Sequence, residues 1–206
     1  VGRLLLRHSV SAHCGQPWAS VELGRSPKNK PILIRPVPKD NFSFNVSHHG
    51  SWVVLASEPD ALTGVDVMTS FLERKNDNAK EFFSTMQDTL TSSEWDVVRS
   101  GATEALQLEE FFRFWAVKET YIKATGDGLG FDVKRIEVSY PGGLEEQNRL
   151  ARVRIDGYGL SGWWFHVARL DPRHFVAVAL AAPPGKTLDD ADMIQRVCQP
   201  FTQVSV

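Results

Sequence analysis

Two acidic residues stand where acidic residues are costly. Asp66 interrupts the apolar run Leu62 to Met68, LTGVDVM, and Glu119 lies within Phe111 to Lys123, FFRFWAVKETYIK. Leu108, just before the second stretch, and Phe111, Phe112, Trp115 and Ile122 within it recur at helical spacing and form one stripe. At about 3.6 residues per turn, Glu119 falls near the centre of that stripe and Lys123 one turn later at its edge. An ionised carboxylate on an apolar face is unfavourable unless a cation or hydrogen-bond donors compensate it. Two chemistries meet that demand. One is a Glu119–Lys123 i,i+4 ion pair at the rim of a core. The other is a metal-binding or proton-transferring carboxylate with a phosphate-binding lysine beside it. For Asp66 the alternatives are a helix cap, a solvent-facing position at a sheet edge, or a second carboxylate of the same site.

Two further segments could serve an anion. In Gly24 to Leu33, GRSPKNKPIL, Arg25, Lys28 and Lys30 fall among the turn-formers Gly24, Pro27 and Asn29, which reads as a cationic loop. In NFSFNVSH, from Asn41, the residues Phe42, Phe44 and Val46 alternate with Ser43, Asn45 and Ser47, the pattern of a strand with one apolar and one polar face. It ends in Ser47-His48-His49-Gly50, where a hydroxyl, an imidazole and free backbone N–H groups can hold an anion; the plain alternative for His48 and His49 is a pair of exposed turn histidines. Arg3 and Arg7, at i,i+4 spacing, are read as solvated.

The elements that must position these residues follow from patterning. Gly2 to Ala12 reads as a helix turning Leu4, Leu5 and Val10 to a core. Ser51 to Ala56 should pair with the preceding strand as a hairpin, and Leu62 to Met68 is a further strand. Residues 70–78 read as a linker, and Ala79 to Leu90 as a helix. Thr91-Ser92-Ser93-Glu94 fits a capping box opening the next helix. The helix bearing Glu119 stops at Gly126, and TGDGLGF after it is a tight turn, since its glycines follow a helix and their spacing is wrong for a dinucleotide loop. Val133 to Ser139, Ala151 to Ile155, Trp163 to Leu170 and Phe175 to Leu180 are strands with short returns, hence an antiparallel sheet. Of Trp163 and Trp164, one is expected in the core and one at the surface. Ala181 onward is Pro-rich and polar and receives no role.

With 206 residues, 42% of them apolar and 23% charged, the composition is that of a globular protein of one domain or two small ones. A formal charge of −2 gives no general attraction to nucleic acid, so phosphate must be bound by local clusters. Cys14 and Cys198 lie far apart, without metal-ligand spacing, and read as two free thiols. No run has transmembrane length and no signal-peptide core is visible, so a cytosolic protein without membrane partners is expected. The opening GRLLLRHSV has no N-cap before it, and upstream residues are expected to be missing.

In order along the chain stand Thr63-Gly64-Val65-Asp66, then Trp115-Ala116-Val117-Lys118-Glu119-Thr120-Tyr121-Ile122-Lys123, then GLGF. Together with FNVSHHG and RSPKNKP, this combination resembles the Sfp-type 4′-phosphopantetheinyl transferases, whose signature is (V/I)(G/A)(V/I)D followed by (F/W)xxKE(S/A)xxK, and most closely their single-chain eukaryotic type. The resemblance spans roughly Gly2 to Leu180. It implies an α+β fold of two similar halves, each an antiparallel sheet packed with helices, with the ligand in the cleft between them and the first half incomplete. The halves are expected at 1–68 and 69–182, with 183–206 as a tail. The implied activity is Mg²⁺-dependent transfer of the 4′-phosphopantetheine of coenzyme A to a serine of an acyl or peptidyl carrier protein, as in fatty acid or polyketide synthesis, with release of 3′,5′-ADP. Asp66 and Glu119 would hold Mg²⁺. Arg25, Lys28, Lys30, Asn45, Ser47, His48 and Lys123 would bind coenzyme A. Glu119, Lys123 and Lys118 would be catalytic. Two fused halves imply a monomer. Two departures stand out: Met68 occupies the place where bacterial members carry a second acidic ligand, and Thr120 stands where Ser or Ala is usual. Met68 and the abrupt start favour a competing reading, a non-catalytic coenzyme A- or carrier-protein-binding member of the family; intact Asp66, Glu119 and Lys123 oppose it.

Overall fold

The structure is a computed structural model and describes residues 1–37, 42–72, 78–142 and 148–203. The chain is α+β, with antiparallel pairing throughout the described sheets. Its elements are α1 (Gly2–Cys14), β1 (Glu22–Arg25), β2 (Pro31–Arg35), β3 (Ser43–His49), β4 (Trp52–Glu58) and β5 (Leu62–Thr69), then α2 (Ala79–Thr85), α3 (Ser92–Ser100) and α4 (Glu104–Thr125), then β6 (Ile136–Ser139), β7 (Asn148–Ile155), β8 (Tyr158–Gly159), β9 (Trp163–Asp171), β10 (His174–Ala181) and α5 (Asp190–Val197). A six-stranded sheet runs β5-β10-β9-β7-β6, with β8 added to β7; β1–β2 and β3–β4 are separate hairpins.

The large sheet is apolar on both faces, and β10 shows why. Its sequence HFVAVALA sends Phe175, Ala177 and Ala179 to the side of α4, where they join Phe111, Phe112, Phe165 and Val167. Val176, Val178 and Leu180 go to the other side, against Val65, Val67, Trp164, Met193 and Val197. A strand buried on both faces reads as a continuous apolar run. Small residues decide how close α4 comes. A Cβ on Gly64 would sit 2.1 Å from the Thr120 carbonyl oxygen and 2.9 Å from the Ala124 nitrogen, so only glycine at this point of β5 admits the helix. A third cluster, Leu6, Val10, Val21 and Phe44, seats α1 on the β1–β2 and β3–β4 hairpins.

The β3–β4 hairpin forms as patterned, with Phe44 opposite Ser57 and Ser47 opposite Val54. The polar face of β3 turns inward onto the outer edge of β5. The N–H groups of Thr63, Val65 and Val67 donate to Ser43 Oγ (3.1 Å), Asn45 Oδ1 (3.0 Å) and Ser47 Oγ (3.3 Å). Three polar side chains thus do what a neighbouring strand would otherwise do for an edge, which satisfies buried donors and ties the hairpin to the sheet.

Several expectations are corrected. The cationic loop is a β-hairpin: Ser26 N donates to Lys30 O, and Asn29 adopts a left-handed φ of 66° in the turn. The α1 face that goes inward holds Leu6 and Val10, while Leu4 is exposed. Helix α2 stops at Thr85, short of Leu90. Trp164 is buried on the α5 side as the core member of the pair, while Trp163 is half-buried against the α4-side cluster, because neighbours on a strand face opposite ways and both faces are covered. The segment that received no role contains α5, which buries Met193 and Val197 against the second face. The expected linker falls largely on residues 73–77, outside the described residues. Among the described residues no helix is long and apolar enough to cross a membrane.

Candidate active site

Helix α4 is fixed at both ends. The Thr103 side chain accepts from Leu106 N at the start, and Gly126, at φ 75°, closes the end as a left-handed cap. Between them the helix lies across β5 and β10 with nearly every face buried. Its rotation brings Glu119 and Lys123 over Asp66. Asp66 is 4% exposed and sits two residues beyond Gly64 on the same face of β5, so the glycine that admits the helix also sets the carboxylate beneath it.

Of the two alternatives for Glu119, the local i,i+4 ion pair is not the one seen: Lys123 pairs at longer range, with Asp66. Lys123 Nζ lies 2.5 Å from Asp66 Oδ1 and donates to Ser47 Oγ at 2.9 Å. Ser47 Oγ in turn donates to Asp66 Oδ1 at 2.7 Å. Three segments of chain therefore meet at one carboxylate oxygen. The other, Oδ2, is buried and has no hydrogen-bond partner. Glu119 is near enough for Asp66 to act on it: burial first, then the Asp66 charge, push its proton affinity up, and Lys123 partly offsets them. Among the described residues no three His, Cys, Asp or Glu side chains cluster as metal ligands. Met68, two residues beyond Asp66 on the same strand, is half-buried against the core on the α4 side.

Beside the carboxylates opens a cleft of about 400 Å³ lined by Lys28, Lys30, Asn45, Trp115, Glu119 and Lys123, with Gly126, Gly128, Phe131 and Val133 along its wall. The β1–β2 hairpin supplies its basic rim. Lys30 Nζ donates to Ala124 O at 2.7 Å, a cation at the negative end of α4, and burial lowers its pKa. Lys28 pairs with Asp127 at 2.7 Å on the exposed edge. Lys28, Lys30, Asn45, Glu119 and Lys123 are thus brought to one cavity, with Ser47 and Asp66 bonded to Lys123 at its side. Arg25 and His48 do not line it. Arg25 is exposed and donates to Asn29 O in its own turn, and His48 is exposed where β3 nears its end.

Lys118 is placed elsewhere. It is fully buried and does not line the cleft; it lies 2.7 Å from Glu94 and donates to the carbonyls of Thr89 and Val133. Glu94 is buried too, accepting from Thr91 N as the capping-box acid and from Val138 N. The lysine expected to be catalytic therefore has its ammonium on Glu94, and it is not among the residues lining the cleft. What the sequence did not suggest is Asp127 as the counter-charge of Lys28 and Trp115 as a cleft wall. The first is a contact across 99 positions, invisible to local pattern; the second lay within the stripe read as core.

The arrangement is two carboxylates with one bare buried oxygen, facing a cleft with three ammonium groups. A bare buried carboxylate oxygen costs roughly 1–3 kcal/mol, which a bound cation would relieve, and an all-oxygen donor set suits Mg²⁺. The cationic walls suit an elongated anion.

Comparison with known proteins agrees with these features. The family profile described as 4′-phosphopantetheinyl transferase, N-terminal, matches residues 1–60, and that of the 4′-phosphopantetheinyl transferase superfamily matches residues 63–179. The human L-aminoadipate-semialdehyde dehydrogenase-phosphopantetheinyl transferase is 40% identical over 195 residues, covering 92% of this chain and 62% of its own. A phosphopantetheinyl transferase of Thraustochytrium sp. is 38% identical over 87% of this chain and 62% of its own, and the 4′-phosphopantetheinyl transferase pptA of Paxillus involutus is 30% identical over 95% and 74%. The chain spans about three fifths of the length of the first two. With a superfamily match over residues 63–179 and such relatives on either side of it, this chain belongs to the 4′-phosphopantetheinyl transferase superfamily.

Proposed function

We propose that this chain transfers the 4′-phosphopantetheine moiety of coenzyme A to a serine hydroxyl of an acyl or peptidyl carrier protein and releases 3′,5′-ADP. The observation that carries the reading is the meeting of Asp66, Glu119 and Lys123 beside a cleft walled by Lys28 and Lys30. Asp66, through its bare Oδ2, and Glu119 would hold Mg²⁺. Bound there, the ion would neutralise diphosphate charge and orient the phosphorus for in-line attack. We read residues 1–68 and 69–182 as the two halves that meet at this cleft, with 183–206 as the tail.

The chain's own side chains would do the following. Lys30 and Lys28 take the phosphates and adenine end, with Arg25 as an outer contact. Asn45, Ser47 and the exposed His48 serve the 3′-phosphate, Ser47 chiefly by holding Lys123 and Asp66. Glu119 serves as metal ligand first; second, directly or through a water on the ion, it accepts the proton of the attacking serine as the new P–O bond forms, a role that tight metal binding weakens by lowering its basicity. Lys123 neutralises the charge that develops on the departing 3′,5′-ADP as the diphosphate bond breaks. Trp115 and Phe131 give the cleft an apolar wall for the pantetheine arm.

The test is an apo carrier protein incubated with coenzyme A, with and without Mg²⁺. A mass gain of one phosphopantetheine that requires Mg²⁺ is expected from the native chain and not from Glu119→Gln of equal melting temperature. Binding of coenzyme A without any mass gain would favour the non-catalytic reading that Met68 suggests.

A further inference from the structure

Two facts about Asp66 do not follow from a simple ligand role. Its Oδ1 receives two donors, the Lys123 ammonium at 2.5 Å and the Ser47 hydroxyl at 2.7 Å, while Oδ2 receives none. Lys123 also lines the cleft, and its side chain is 28% exposed. The same ammonium therefore serves two anions: the one beneath it in the protein, and any that enters the cleft. Ser47 holds it over Asp66, accepting from Nζ and from Val67 N while giving its one proton to Asp66, which uses the full capacity of a hydroxyl.

We infer that Lys123 is the built-in counter-ion of Asp66, that a divalent cation displaces it, and that the displaced ammonium is thereby delivered to the diphosphate in the cleft. This rests on the proposed reading of the site and adds a coupling to it. Before a cation arrives, Lys123 keeps a nearly buried carboxylate neutralised, and the cation must compete with it. Once the ion has taken Asp66, Lys123 turns from the β5 carboxylate to the neighbouring cleft. No bond to phosphorus is made or broken in this exchange: a singly charged ammonium leaves Asp66 as a doubly charged ion enters, and the Glu119 carboxylate supplies the second negative charge the ion requires. Metal and coenzyme A consequently assist each other through one side chain, besides any direct contact between them.

The experiment compares the native chain, Lys123→Met and Lys123→Arg, with Mg²⁺ alone as titrant in calorimetry and with thermal melting in EDTA and in Mg²⁺. If Lys123 is the counter-ion, Lys123→Met melts lower than native in EDTA, recovers on adding Mg²⁺, and binds Mg²⁺ about tenfold tighter than native, the size of an ordinary coupling between two ligands. Its affinity for coenzyme A falls, whereas Lys123→Arg stays near native on both ligands. An unchanged melting temperature in EDTA together with an unchanged Mg²⁺ affinity in Lys123→Met overturns the exchange. Should Lys123→Met not fold, the native chain labelled with ¹⁵N-lysine gives the answer: the Lys123 ammonium resonance, identified by its loss in Lys123→Arg, shifts on adding Mg²⁺ without coenzyme A, and an unmoved resonance overturns the inference. Failure of native protein to bind Mg²⁺ even with coenzyme A present would instead overturn the reading of the site on which the inference stands.

Discussion

Replacing Lys118 by methionine tests the distinction between a lysine that reacts and one that holds the helix. The side chain is fully buried, and its ammonium meets Glu94 at 2.7 Å, Thr89 O at 3.0 Å and Val133 O at 3.3 Å. Methionine keeps the unbranched shape and removes the charge. Breaking a buried pair by deleting one partner costs about 3–5 kcal/mol. The lower end applies here, because Glu94 keeps two donors, Thr91 N and Val138 N, each at 2.7 Å. At about 2–4 °C per kcal/mol for a chain of this size, a loss of about 3 kcal/mol lowers the melting temperature by roughly 6–12 °C. Lys118→Met/Glu94→Gln should recover part of that loss, since no unpaired charge remains inside. Urea denaturation and thermal melting give the stabilities, and transfer to a carrier protein, measured well below the lowest midpoint, should retain a kcat within a few-fold of native. A Lys118→Met protein that melts like native yet loses turnover a hundredfold would refute the argument, because the lysine would then have to act on substrate.

Other consequences can be measured on the same chain. Gly64→Ala drives a methyl into the Thr120 carbonyl and should cost both stability and transfer, whereas Gly159→Ala, with open space around it, should be neutral in both assays. Lys28→Ala and His48→Ala should raise the KM for coenzyme A more than they lower kcat, and His48→Ala should be indifferent to removal of the 3′-phosphate from the donor; native activity that is equal with 3′-dephospho-coenzyme A would speak against His48 at that phosphate. Burial opposes ionisation of Asp171, but hydrogen bonds from Trp52, Arg173 N and His174 outweigh it and hold the carboxyl at about 2, below its ordinary 3.8. A depressed carboxyl lends stability that is complete above the unfolded value and is lost as pH falls through about 2, so acid melting curves of Asp171→Asn should be flatter than native between about pH 4 and 2. Parallel curves for the two proteins would contradict that account.

How far the site was legible depended on whether its evidence was local. Helix α4, its Gly126 cap, the Thr91 capping box and the β3–β4 hairpin follow from periodicity and cap chemistry carried by a few neighbouring residues. Misplaced charge was equally legible: Asp66 in an apolar strand and Glu119 in an apolar stripe had to find compensation somewhere. Helix α5 was hidden behind a Pro-rich lead, although Asp189 as N-cap and Arg196 in the last turn were signals for it. The β1–β2 hairpin reads as a loop because its strands are only four and five residues long and carry the turn-formers Gly24 and Pro31.

The sequence by itself determined which residues were out of place and where the helices and strands that carry them begin and end, since those choices rest on contacts within a turn or two. Only the tertiary structure decided partners. It gave Lys123 to Asp66 in place of Glu119, turned Lys118 inward to Glu94, and set the polar face of β3 against the edge of β5. The reason is packing: Gly64 lets α4 lie close on β5, and the rotation at which the helix packs there, which no local pattern encodes, sorts one lysine into the core and the other into the cleft.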